Sequence, residues 1–426
     1  MKLVWYMKVV FDMALIELVG QSGVGRVAKN LSLQLAKAPE CELSVCASLP
    51  TVEHWLEVYK YLKKSELLDT KLLIEFQNNI TINQENLLKI INYLDKFNQW
   101  EFTLSKKFKK ILINTFLGNF DPIPQQQLAD KEIYHSSFFS IPKKIQGMKH
   151  LQKFLTFHDL IPILFPEYVH EAIVKNFQEI LNSINPETWL ICVSESAKND
   201  LCNHLKVIDS QRVHVVYSAA SENFYPCKNI EQIERIKKKY KIPNRPYILA
   251  LNNLEPRKNI EQLIRCFARL VQQEKLKDLS LVLAGAKGWL YNNIFNEIDQ
   301  LKELKKQIIV TGYVDDADLA PLYSGAMMFV FPSLYEGFGL PPLEAMQCGT
   351  PVITSNTSSL PEVVGDAGIM INPKDSDELC QSILELYYDS SLREKLSHKS
   401  IERAKLFSWE QCGKNVINLY KTAVNS

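Results

Sequence analysis

From Tyr247 onward, short apolar runs alternate with longer stretches in which apolar residues recur at helical spacing. The runs 247–251, 279–284, 308–311, 327–331, 352–355 and 369–371 read as strands, most of them nearly free of polar residues. Continuous apolar content is what a strand covered on both faces requires, so the sheet they form is expected to be parallel and doubly wound. The first half repeats the pattern less regularly. Strands are expected over 8–15, 43–47, 111–116, 153–160, 189–196 and 212–217, with helices to about Ala38 and over 197–205. Between 51 and 118, Trp55, Leu56, Tyr59 and Leu62, then Leu87, Leu88, Ile91 and Leu94, fall at helical spacing, with a short strand over 72–76. A charged helix over 231–240 leads to Pro243 and Pro246, a natural hinge. The expected architecture is α/β with two Rossmann-like doubly wound domains, 1–242 and 243–407, followed by a closing helical segment, 408–426.

Composition agrees. At 426 residues the chain exceeds the size at which one core keeps growing, and 46% hydrophobic content supports two cores. A net charge of +1 argues against nucleic acid as an obligate partner. Nine cysteines without a Cys-x-x-Cys pair suggest reduced thiols and a cytoplasmic location. No run approaches the roughly 18 apolar residues of a membrane helix. Lys2, Lys8 and Asp12 around the first apolar run read as a strand rather than a signal peptide, and Met7 is a second candidate start. The basic run Lys106-Lys-Phe-Lys-Lys110 is a candidate for peripheral contact with an anionic membrane face.

The chemistry concentrates after the strand 327–331. Gly337 and Gly339 flank Phe338, allowing close backbone approach to a ligand. Pro341 and Pro342 suit the first turn of a helix that Gly349 closes. A glycine loop feeding a helix N-terminus at the carboxyl end of a parallel strand favours anions. Glu336 and Glu344 frame it, which fits a ligand with phosphate in the middle and hydroxyls at both ends: a nucleotide sugar. In Leu254-Glu-Pro-Arg-Lys-Asn-Ile260, Arg257 and Lys258 supply the fixed cations a departing diphosphate needs. Near the amino end, Gly23 and Gly25 open a helix in a Gly-x-Gly-x-x-Ala pattern. The rival reading, a dinucleotide fingerprint, lacks the acidic residue expected after the second strand, which ends Ala-Ser-Leu-Pro. His158 and Asp159 stand at another strand's carboxyl end. Asp316-Ala-Asp318 and Asp375-Ser-Asp377 read as helix N-caps rather than metal ligands.

Glu336-x7-Glu344 within Glu-Gly-Phe-Gly-Leu-Pro-x-Leu-Glu-Ala-Met, together with Glu-Pro-Arg-Lys-Asn and His-Asp-Leu-x-Pro, resembles the signature of retaining GT-B glycosyltransferases of family four. The resemblance implies roles residue by residue. Glu344 would hold the ribose hydroxyls, Glu336 those of the transferred sugar, and Gly337, Phe338, Gly339 and Leu340 would lie against sugar and phosphate. Arg257 and Lys258 would clamp the diphosphate, and Gly23 and Gly25 would face it across the cleft. Tyr313 and Val314 would hold the nucleobase through backbone groups, and His158, with Asp159 beside it, would approach the sugar's C6 hydroxyl and the reacting phosphate. The segment Phe407-Ser-Trp-Glu410 and the helix after it resemble the tail that crosses back to the first domain. A nucleotide-sugar donor, a saccharide or lipid-linked acceptor and no cofactor or metal are implied, with GDP-mannose favoured over UDP-sugars or dTDP-rhamnose. Two other classes remain open on the sequence: an NAD-dependent two-Rossmann oxidoreductase, and a catalytically silent binding protein of the same fold.

Overall fold

Most of the apolar runs become buried strands, the edge strands being partly exposed, in the computed structural model of the chain, which describes residues 6–14, 23–49, 52–67, 70–72, 75–76, 120–121 and 123–426. They are shared between two units, Met1–Leu155 with Tyr420–Ser426, and Thr156–Leu419.

In the first unit, β1 (Met7–Asp12), β2 (Cys41–Cys46), β3 (Lys71–Leu72), β6 (Ile133–Ser136) and the start of β7 (Gln152–Phe157) run parallel, in the order β3-β2-β1-β6-β7. β4 (Glu75–Phe76) and β5 (Phe120–Asp121) form a separate antiparallel pair. The buried carboxylate of Asp12 ties strand ends together, accepting from Ala14 N at 3.0 Å, Ser48 N at 3.1 Å and the Tyr134 hydroxyl at 2.7 Å. Gly23 and Gly25 open the helix Gly23–Lys37, and Gly25 is buried. The last helix, Trp409–Val424, ends in this unit: the Tyr420 hydroxyl meets His135 Nδ1 at 2.5 Å and Lys421 pairs with Glu40 at 2.9 Å. The helix expected around Trp55 and Tyr59 is Val52–Lys64. The strand expected over 111–116 and the basic run 106–110 lie outside the described residues.

The second unit contains β8 (Trp189–Cys192) and β9 (Val213–Val215), which are parallel neighbours, and a six-stranded parallel sheet. That sheet has the order β12-β11-β10-β13-β14-β15, from β10 (Tyr247–Leu251), β11 (Ser280–Ala284), β12 (Ile308–Gly312), β13 (Met328–Phe331), β14 (Val352–Ser355) and β15 (Ile369–Ile371). Its strand order reverses between β10 and β13, so the loops that leave these two strands open beside each other. The expected hinge, 243–246, lies inside this unit, where Arg245 Nε donates to Ser280 Oγ at 2.6 Å.

Three expectations need correction. The strand expected over 189–196 stops at Cys192, because Ser194 caps the helix Glu195–His204, its hydroxyl accepting from Ala197 N at 3.0 Å. The residue before the helix Asp316–Ser324 is Asp315, which makes no side-chain cap; Asp316 and Asp318 lie in the first turn, and Asp318 accepts instead from Lys239 Nζ at 2.5 Å and the Tyr240 hydroxyl at 2.7 Å. Asp375 does cap its helix, accepting from Asp377 N at 2.9 Å and Glu378 N at 3.0 Å. Lastly, not every cysteine is a free thiol: Cys266 on the helix Ile260–Gln273 and Cys380 on the helix Ser376–Tyr388 form a disulfide, with Cα atoms 5.7 Å apart. The two helices pack on the same core, which brings the pair together. Among the described residues no helix is long and apolar enough to cross a membrane.

Candidate active site

β13 ends at Phe331, and the next eight residues form the loop that carries Glu336, Gly337, Phe338 and Gly339. Gly339, with φ 121°, turns the chain into the helix Leu340–Gln347, with Pro341 and Pro342 in its first turn. A side chain at Gly339 would be strained at that φ. Gly337 is required for a different reason: an added Cβ would stand 2.2 Å from the His158 carbonyl oxygen. The loop is pinned from three sides. Ser194 Oγ donates to Gly337 O at 2.6 Å, Ser359 Oγ donates to Phe338 O at 2.6 Å, and Glu336 N donates to Ser358 Oγ at 2.9 Å. Ser358 itself sits at φ 51°, a strained conformation for a residue with a side chain.

The loop after β10 meets this one. Lys258 Nζ lies 2.6 Å from Glu336 Oε1, and Arg257 Nη1 lies 3.0 Å from Glu336 Oε2. Arg257 also donates to the Tyr335 carbonyl at 2.5 Å and to Glu255 Oε1 at 2.7 Å. Lys258 and Glu336 are each only 9% exposed, so the charges must compensate one another. Burial alone would push the Glu336 carboxyl up, but the charges of Arg257 and Lys258 outweigh it and hold the group down at about 2. Lys258 is pushed below the usual range by burial and by Arg257 beside it, while Glu336 pulls it back up. The two cations expected to be open to a phosphate are thus already paired, to Glu336 and Glu255.

Asp159 is half-buried beside the group and accepts from Ile161 N at 2.9 Å. Burial raises its carboxyl; the Ile161 bond and Arg257 oppose the rise and Glu336 reinforces it. His158 is buried, and its carbonyl lies against Gly337. Glu344, 2% exposed, accepts from the Tyr323 hydroxyl at 3.0 Å. Phe338 and Leu340 pack into the core below. At the end of β12, Gly312 takes φ 71° with no atom near a notional Cβ; after it Tyr313 is 47% exposed and Val314 is buried.

The structure therefore brings Glu336, Arg257, Lys258, His158, Asp159 and Gly337 into one group in the second unit. Gly23 and Gly25 are in the first unit. Residues without an assigned role in the sequence also shape the site: Glu255, Ser194, Ser358, Ser359 and Tyr323. Glu362 joins them, its carboxylate accepting from Glu195 N at 2.7 Å and Ser196 N at 2.8 Å. Ser358 and Ser359 follow β14 directly, and the carboxyl-end rule that singles out Glu336 applies equally to them. Among the described residues no cluster of His, Cys, Asp and Glu could hold a metal ion.

Comparison with known proteins gives this geometry a family. Residues 232–403 match the model described as glycosyl transferases group 1. The O-antigen chain mannosyltransferase B of Escherichia coli is 35% identical over 290 residues, 68% of this chain and 74% of that one. The serotype-specific mannosyltransferase WbdA of Escherichia coli is 35% identical over 259 residues, but the match spans only 31% of its length. Among solved structures, a glycosyltransferase from Rickettsia africae superposes with TM-score 0.66 at 18% identity, covering 99% of both chains. Anabaena Alr3699/HepE in complex with UDP does so with TM-score 0.65 at 15% identity, covering 98% of this chain and 100% of that one. These structural likenesses speak to the fold, which is GT-B. With a signature group assembled on that fold and a relative this similar across most of its length, the chain belongs to the glycosyl transferases group 1 and is a glycosyltransferase.

Proposed function

We propose that the chain is a retaining mannosyltransferase, moving mannose from GDP-mannose to a saccharide or lipid-linked acceptor of a cell-surface polysaccharide. It would work at the cytoplasmic side of the membrane and without a metal. The observation that carries the reading is the buried group Glu336–Arg257–Lys258 on two loops that leave adjacent strands, with Glu344 one helix turn beyond. The two mannosyltransferase relatives support the choice of sugar.

In the proposed reaction the bond between mannose C1 and the phosphate oxygen breaks, and the electron pair leaves with the diphosphate. Arg257 and Lys258 stabilise that charge by turning part of their interaction from Glu336 and Glu255 to the phosphate oxygens. The acceptor oxygen attacks C1 on the face the phosphate leaves, and its proton passes to the departing phosphate oxygen. An inverting enzyme needs a general base on the opposite face with a pKa suited to the task. Glu336, held at about 2 and locked to two cations, is too weak a base for it. Asp159 has one carboxylate oxygen committed to Ile161 N.

A panel of GDP-mannose, UDP-sugars and dTDP-rhamnose, scored by thermal shift and donor hydrolysis, tests the donor. GDP-mannose should stabilise the protein most; stabilisation by a UDP-sugar with none by GDP-mannose would remove the mannosyl assignment. Glu344→Ala should weaken donor binding about ten- to a hundredfold, since a charge-assisted hydrogen bond contributes roughly 1.5–3 kcal/mol. Unchanged affinity would place the ribose elsewhere.

A further inference from the structure

Trp289 is 43% exposed, and the backbone just before it is tied to a neighbouring loop. Gly288 N donates to Leu254 O at 3.0 Å, and Leu254 N donates to Ala286 O at 2.9 Å, so the loop after β11 lies along the chain that leads to Arg257. The approach is close: a Cβ on Gly288 would stand 3.1 Å from both Leu254 O and Glu255 Cβ. On the other side of Trp289, Leu290 adopts φ 54°, a strained backbone for a leucine. A large apolar ring thus stands out to solvent between a glycine where a side chain would crowd its neighbours and a residue with a strained backbone. A strained backbone held in place by its surroundings is a reason to look for a function at the position.

The surroundings say what kind of ligand it fits. His170 stands edge-on to Trp289, ring centres 5.2 Å apart at 80°. Its Nδ1 accepts from Ala172 N at 3.2 Å, which puts the ring proton on Nε2 as a donor. Along the same stretch, Tyr168 stacks on Phe165 at 6.0 Å, and Phe165 packs on Tyr335 at 5.2 Å, next to Glu336. Two aromatic groups with polar edges, Trp289 with His170 and Tyr168 with Phe165 and Tyr335, are thus joined by the short segment 168–170, the second of them next to the reactive group. Flat rings lined by hydroxyl and imidazole donors suit a pyranose, whose C–H face packs on an aromatic face while its equatorial hydroxyls reach the rim. Rigid aromatic side chains also lose little entropy on binding.

We propose that Trp289, with His170 edge-on beside it, is the stacking platform for a sugar ring of the saccharide acceptor. The inference rests on the glycosyltransferase reading and deepens it. The test titrates an α-linked mannotriose into the full chain and into Trp289→Ala and Trp289→Phe, with GDP-mannose titrated separately into each. Loss of the ring should weaken mannotriose binding roughly two- to tenfold. Trp289→Phe should recover most of it, and GDP-mannose affinity and melting temperature should stay at wild-type values. Equal mannotriose affinity in Trp289→Ala, or no binding of it to the wild-type chain, overturns the proposal. So does a loss that falls on GDP-mannose instead, which would make Trp289 a nucleobase platform. The separate GDP-mannose titration reports on the donor assignment, so the two readings fail distinguishably.

Discussion

Lys258 Nζ and Glu336 Oε1 sit 2.6 Å apart although 78 residues separate them in sequence, and both are buried. The doubly wound sheet makes the meeting possible: β10 and β13 are parallel neighbours, so the loops leaving their carboxyl ends converge. A buried charge whose partner is removed is costly, whereas the intact pair is close to neutral for stability. The group thus holds its buried charges at little cost, provided all three are present.

That gives a pH prediction. The Glu336 carboxyl is held at about 2 against an ordinary 4.5, so the folded state binds its proton less readily than the unfolded chain. Such a group contributes stability that is fully present above 4.5 and lost as pH falls towards 2. Glu336→Gln should be less stable than wild type by about 3 kcal/mol at neutral pH. Chemical denaturation should show the gap closing as pH drops through that window. Asp159, raised rather than lowered, contributes with the opposite sign, and Glu336→Gln also removes the part of that rise which the Glu336 charge causes. A gap that stays constant down the whole acid range would contradict the charge assignment.

Two glycines separate space from backbone strain. Gly337→Ala puts a methyl 2.2 Å from the His158 carbonyl, so the loop must move and donor affinity should fall at least tenfold. Gly312→Ala meets no atom but sits at φ 71°, and should cost only about 1 kcal/mol of stability. Equal effects of the two on donor binding would mean that the approach of Gly337 to His158 does not matter.

If Arg257 and Lys258 clamp the diphosphate as proposed, Arg257→Ala or Lys258→Ala should each lower turnover by roughly 10²–10³, as for other preorganised charge stabilisers. Added Mg²⁺ or a chelator should leave the rate unchanged. A strict metal requirement would count against the clamp.

The regular half of the fold was readable because most of its strands are largely apolar and its punctuation is strong. Glycine and proline bracket 327–355 so tightly that the ends of β14 follow directly. β6 was missed. Its four residues, Ile-Tyr-His-Ser, are half polar and follow no period, and His135 and Ser136 are buried only through tertiary contacts such as Tyr420. The strand expected to run through Ser194 ended early for a local reason, since a serine hydroxyl at that point competes for the backbone. Residue types singled out Glu336, Arg257 and Lys258 as candidates, but not that the cations would be paired to Glu336 and Glu255. Pairing is a property of burial, which spacing along the chain does not carry.

The central claim is same-face transfer of mannose, and the anomeric configuration of the product tests it most directly. The chain is incubated with GDP-α-mannose and a mannoside acceptor, and the anomeric proton and its one-bond carbon coupling are read by NMR. The account predicts an α-linked product. A β-linked product would show that a general base acts from the opposite face, and would overturn the mechanism while leaving the fold as described.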